Sequence, residues 1–158
     1  LNRTVGMLED LADQQPLSPT AFSLSVHNAN SGIFSIARGD HSPSSAISAG
    51  DNSLMMGLVE AVGQLAEGDA SEVLVIISDE PLPEPLSPFQ EPFTHPYGAA
   101  FLVSHDPSEG ENYRLSIAEE TADTTRLPQA LQLIQQLLQP TSSFTISSTE
   151  QTWKWQHG

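Results

Sequence analysis

The chain has 158 residues, 38% of them hydrophobic, and sets 20 Asp plus Glu against 5 Lys plus Arg, for a net charge of -15. That size and apolar content suit a single domain over residues 1–158 with one core, while five scattered cations exclude the clustered positive charge that nucleic acid or an anionic membrane surface requires. The absence of cysteine rules out disulfides, thiolate metal sites and a thiol nucleophile. With no apolar run long enough for a bilayer and no basic start leading into an apolar segment, a cytoplasmic protein is expected.

Along the chain, Val5, Leu8 and Leu11 have helical spacing, which predicts a helix over Thr4 to Ala12 that ends before Pro16. Phe22, Leu24 and Val26 alternate with serines and by period suggest a short strand. Ser44 to Ala49 is a second strand candidate, followed by Gly50, Asp51 and Asn52 as turn and cap residues. A helix from Ser53 to Glu67 is then predicted, with Leu54, Leu58, Val62 and Leu65 on one face; Gly57 and Gly63 inside it suggest close packing against a neighbour. Val73 to Ile77 is an unbroken aliphatic run, as in a parallel strand covered on both faces, and strand, helix and strand would then make a crossover unit.

Six of the 12 prolines fall between Pro81 and Pro96, which predicts a loop without regular helix. Tyr97 to Val103 and Tyr113 to Ala118 read as an antiparallel strand pair flanking a polar turn over Asp106 to Asn112. Leu127, Leu131, Ile134 and Leu138 mark a helix with Pro128 in its first turn. Phe144 to Ile146 and Trp153 to Trp155 are short closing strands.

The residues that carry chemistry are sparse. None of the five histidines has metal-ligand spacing, no G-x-S-x-G elbow anchors a hydrolase triad, and no glycine-rich phosphate loop is present, so no metal and no cofactor is expected. Asp51 could act as a general base or simply cap the following helix. His27 and Asn28 could serve as capping and core hydrogen-bonding groups, and Phe22, Met55 and Met56 as ordinary core. An acyltransferase or hydrolase using Asp51, or an acidic interaction module acting through Pro81 to Pro96, remains open on the residues alone.

Several short motifs occur in a telling order: Ser18-Pro19-Thr20-Ala21-Phe22, Ser25-Val26-His27-Asn28-Ala29, the serine-rich Ser44 to Ala49, Gly68-Asp69-Ala70, Val73 to Ile77 and Asp79-Glu80. Together with the Trp-rich end they resemble beta-ketoacyl synthases of the thiolase-like superfamily, most of all the small chain-length-factor proteins of aryl polyene and fatty-acid-like biosynthesis. The likeness covers roughly Leu17 to Ala118. It implies an α/β fold, a partial thiolase-like αβα layered mixed sheet corresponding to the N-terminal half of a ketoacyl synthase, with the first elements missing before Leu1. It also makes Ala21 to Val26 an extended lead-in to a helix over about His27 to Arg38 instead of a strand. By the family's spacing back from Gly68, the position of the catalytic cysteine falls on Asp51, a carboxylate ill suited to accept an acyl group from a thioester. The 40 residues after Ala118 leave no room for the second half that, in active synthases, brings two histidines, or a histidine and an asparagine, to the cysteine. The resemblance therefore implies a non-catalytic subunit paired with a catalytic ketosynthase, which itself receives the acyl carrier protein. Phe22, His27, Asn28, Ser45, Ile47, Asp51, Met55 and Met56 would line the acyl pocket or partner interface, with Ser44 to Ala49 as the contact strand.

Overall fold

A computed structural model describes residues 2–68, 70–90, 93, 95–106, 108, 110–119, 127–139 and 141–158. Asp69 of the Gly-Asp-Ala turn, Glu91, Pro92 and Thr94 of the proline-rich loop, and Pro107 and Glu109 of the polar turn lie outside the described residues. The chain divides into two compact units, one of residues 1–46 and 82–90, the other of residues 47–81 and 91–158.

The first unit is helical. Helix α1 spans Asn2–Ala12, α2 Pro19–Ser23 and α3 Ala29–Arg38, with a 3-10 helix over Glu84–Phe89. The alternation of Phe22, Leu24 and Val26 does not produce a strand, because Ser18 and Pro19 start a helix first. Pro19 occupies its opening turn, and the Ser18 hydroxyl accepts the Ala21 N–H at 3.3 Å. The 3-10 helix likewise corrects the expectation of a wholly irregular proline-rich loop. Its two ends are tied together by the Leu82 N–H donating to Gln90 Oε1 at 2.5 Å. Helix α3 ends at Gly39, whose φ of 61° takes the left-handed conformation that a side chain disfavours. No described residue of this unit is buried.

The second unit holds the core. Helix α4 runs over Ser53–Glu67 and α5 over Gln129–Leu137; the strands are β1 Glu72–Asp79, β2 Tyr97–Ser104, β3 Tyr113–Ile117, β4 Ser143–Ser147 and β5 Thr152–His157. Strands β1 and β2 form an antiparallel pair with Val75 opposite Phe101, and β3, β5 and β4 form a second antiparallel sheet in that order. The expected parallel strand, crossover unit and β2–β3 pairing are therefore corrected: every described strand pairing is antiparallel, and β3 pairs with β5. Ser44 to Ala49 forms no strand, only an isolated bridge from Ala49 to Asp51. Its serines and alanine offer little side-chain packing to hold a strand against a neighbour.

The aliphatic run of β1 is covered on one face only. Val73, Val75 and Ile77 turn inward with Ala99, Phe101 and Val103, whereas Leu74 and Ile76 are 55% and 63% exposed and Leu74 stands opposite Leu102, itself 62% exposed. A strand's side chains alternate between its two faces, so five consecutive aliphatics must load both, whether or not both are covered.

Inward residues of both sheets pack against Leu54, Met55 and Leu58 of α4 and Ala130 and Leu133 of α5. Leu54, Met55, Leu133 and Ile146 are fully buried, and removing such a side chain from water contributes about 1.5–3 kcal/mol each. Trp155 stacks on Phe144 with ring centroids 5.6 Å apart, and Tyr113 meets both edge-on. The glycines of α4 answer the packing expectation unevenly: a β-carbon at Gly57 would touch Val75 at 3.4 Å, an ordinary contact, and one at Gly63 would meet nothing.

Candidate functional site

The turn that delivers residue 51 is built locally. Gly50 takes a φ of 54°, and the N–H groups of Asn52 and Ser53 donate back to the carbonyls of Ala49 and Gly50 at 3.0 and 3.1 Å. The Ser53 hydroxyl closes the ring by donating to the Gly50 carbonyl and accepting the Ala49 N–H. The residue capping α4 is Asn52, so the capping role expected of Asp51 is corrected. Asp51 is exposed, and its Oδ2 accepts a 2.7 Å hydrogen bond from the Thr149 hydroxyl in the β4–β5 turn.

Asn52 lies 7% exposed behind it and is the residue that sequence reasoning missed. Its Oδ1 accepts from Gln129 Nε2 of α5 at 3.1 Å, from Ser148 Oγ of the β4–β5 turn at 3.0 Å and from Trp153 Nε1 of β5 at 3.2 Å. One amide oxygen thus ties the start of α4 to three other segments of this unit. Nearby, the buried Gln132 binds Ser147 through both its carbonyl and its N–H, at 2.9 and 3.0 Å, in the manner of an adjoining strand.

The chemistry this arrangement permits is limited. A thioester acyl transfer needs a strong nucleophile and free donors aimed at the developing oxyanion. Residue 51 offers a carboxylate, the N–H groups of residues 52 and 53 are already spent on turn carbonyls, and the groups bonded to Asp51 and Asn52 are hydroxyls, an amide and an indole. Among the described residues no group of His, Asp and Glu side chains could hold a metal, and no helix is long and apolar enough to cross a membrane.

The other sequence-predicted residues fall in both units. In the first, Phe22 is 60% exposed on α2, His27 and Asn28 are exposed just before α3, and Ser45 is exposed in coil. Asn28 helps start α3 through its backbone carbonyl, which accepts the Ser31 hydroxyl at 2.9 Å, without a side-chain cap bond. In the second unit, Ile47 and Met56 are each 37% exposed, whereas Met55 is fully buried in the core. A cleft of about 500 Å³ in the same unit contains none of these residues. Its walls include Tyr113, Leu138 and the 2.7 Å Glu111–His157 pair, and burial followed by the Glu111 charge raises the Tyr113 pKa above 10.0.

The family described as beta-ketoacyl synthase, N-terminal domain, matches residues 1–156. The chain belongs to that family. Its mixed helices and sheets are those of a partial, thiolase-like ketosynthase N-terminal domain. A solved structure titled as the ketosynthase ApeO in complex with its chain length factor ApeC, from Xenorhabdus doucetiae, contains a chain that is 29% identical and superposes with a TM-score of 0.81. That alignment covers 98% of this chain and 64% of the matched one, so the present chain spans under two-thirds of its relative's length. No curated protein matches.

Proposed function

We propose that this protein is a non-catalytic, ketosynthase-like subunit, a chain length factor. It pairs with a catalytic β-ketoacyl-ACP synthase in the cytoplasm and shapes the pocket in which a polyene, polyketide or fatty-acid-type acyl chain grows. The observation that carries the reading is Asp51. Counting back from Gly68 at the family's spacing assigns the nucleophile position to Asp51, an exposed carboxylate bonded to a threonine hydroxyl, with the neighbouring N–H groups already engaged. A scaffold lacking reactivity is useful only beside a subunit that has it, and the similar structure is drawn from such a complex.

The surface supports a partner. In the first unit Leu8, Leu11, Phe22, Ile33, Phe34 and Ile36 are 49–85% exposed, more apolar display than isolated surface residues account for. The net charge of -15 favours a partner with basic surfaces and leaves the acidic acyl carrier protein to dock on that partner. The candidate partner contacts are Phe22, His27, Asn28 and Ser45 in the first unit and Ile47, Asp51 and Met56 in the second, all of them exposed.

Co-expression with ketosynthases encoded by neighbouring genes tests this. The expected result is a stable heterodimer in which the chain governs product length and only the partner becomes acylated by a thioester donor. Covalent loading of this chain alone, or a monomer that ignores every such ketosynthase, would overturn the proposal.

A further inference from the structure

Three donors converge on Asn52 Oδ1, one more than the two lone pairs of a carbonyl oxygen ordinarily serve. Two of those donors sit on residues with almost no access to water, since Gln129 is 5% and Trp153 6% exposed. Losing the acceptor would leave both unsatisfied, which costs more than the bonds themselves contribute. The Asn52 side chain enters the node as an acceptor, and Gln129 Oε1, on the amide that donates to it, is buried without a donor among the described residues.

The location gives the node its consequence. Asn52 directly follows Asp51, whose carboxylate is held by Thr149 of the same β4–β5 turn that supplies Ser148. It also opens the first turn of α4, where Met55 enters the core and Met56 faces outward. A shift of this turn would therefore move Asp51 and Met56 together relative to the β4–β5 hairpin.

We infer that Asn52 is a positioning residue for the part of the acyl pocket formed by Asp51 and Met56, an inference that rests on the pocket-shaping role proposed above. It acts through its side-chain oxygen, which fixes the start of α4 against α5, the β4–β5 turn and β5. Substitution there changes product length without touching the acyl chain.

Two variants that keep the branching at the γ-carbon test the node, the leucine being bulkier than the asparagine it replaces. Asn52→Asp keeps the acceptor oxygen, and Asn52→Leu removes it. In the isolated chain the Trp153 indole N–H, followed by NMR hydrogen exchange, should stay protected in Asn52→Asp and exchange about tenfold faster or more in Asn52→Leu, the factor that corresponds to losing about one buried hydrogen bond. Equal protection in the two variants, or better protection in the leucine variant, would overturn the node. With the partner ketosynthase present, Asn52→Asp should reproduce the wild-type distribution of product lengths, and Asn52→Leu should broaden or shift it. An unaltered distribution in a leucine variant whose indole has lost protection would overturn the positioning role. If Asn52→Leu does not fold, Asn52→Ala removes the same acceptor without added bulk and should raise the indole exchange likewise, with no rise counting against the node. Failure of the wild-type chain to bind any ketosynthase would instead refute the functional reading, and the exchange data would still judge the node.

Discussion

Replacing Gln132 by methionine should destabilise the second unit by about 2–3 kcal/mol, although volume and burial barely change. The Gln132 amide donates to the Leu127 carbonyl at 2.8 Å and to the Ser147 carbonyl at 2.9 Å, and accepts the Ser147 N–H at 3.0 Å, with the side chain only 8% exposed. At about 1 kcal/mol net per bond the loss approaches 3 kcal/mol, reduced somewhat because half-buried Ser147 can recover part of its bonding from water. For a chain of this length that corresponds to a fall in Tm of roughly 5–10 °C. Urea unfolding followed by circular dichroism measures it: the midpoint should drop with the slope unchanged, showing that stability rather than the extent of unfolding has altered. A methionine variant within about 0.5 kcal/mol of wild type would refute the reasoning, because it would mean that Ser147 does not depend on the glutamine to complete the edge of β4.

Leu133→Ala, at a position 1% exposed in α5, should cost about 2–5 kcal/mol in the same assay; a loss under about 1 kcal/mol would show that the site collapses freely. Burial, and then the Asp79 charge, raise the Tyr97 pKa above 10.0, so the unfolded chain releases this phenolic proton first. Stability from this group is therefore intact below pH 10 and lost as the pH rises through the elevated folded-state pKa, and Tyr97→Phe should flatten the decline measured between pH 8 and 11. Identical slopes in the two proteins would contradict it. Changing both Leu74 and Ile76 to threonine should leave unfolding within about 0.5 kcal/mol of wild type and lower self-association in sedimentation, as expected of side chains on an uncovered sheet face; a large loss of stability would show that the face is covered.

Helix α4 was legible because its apolar spacing records burial, with Leu54, Leu58 and Leu65 buried although Val62 of the same face is 51% exposed. At α5 the spacing of Leu127, Leu131, Ile134 and Leu138 located the helix but not its buried face, which carries Gln129, Ala130, Gln132 and Leu133 while Leu138 is 80% exposed. The partners of β1 were not legible, since five consecutive aliphatics look the same whether a second layer covers them or leaves Leu74 and Ile76 in water. At α2, a period-two pattern competed with a serine–proline helix start, and the local start prevailed. The site divides in the same way. Asp51 could be found by counting along the chain, but Asn52 resembled any turn residue beside glycine. Its partners Gln129, Ser148 and Trp153 stand 77, 96 and 101 positions away, and no local pattern encodes such meetings.

A helical segment that displays Phe22, Phe34 and Ile36 to solvent while burying none of its described residues is sticky until something shelters it. Cells that make the chain in excess should see the surplus captured by chaperones or degraded, so its abundance would follow whatever protein covers these helices. Promoter strength would then set the supply of subunits only up to the amount of that protein, and stoichiometry would be enforced by greasy surface rather than by transcription.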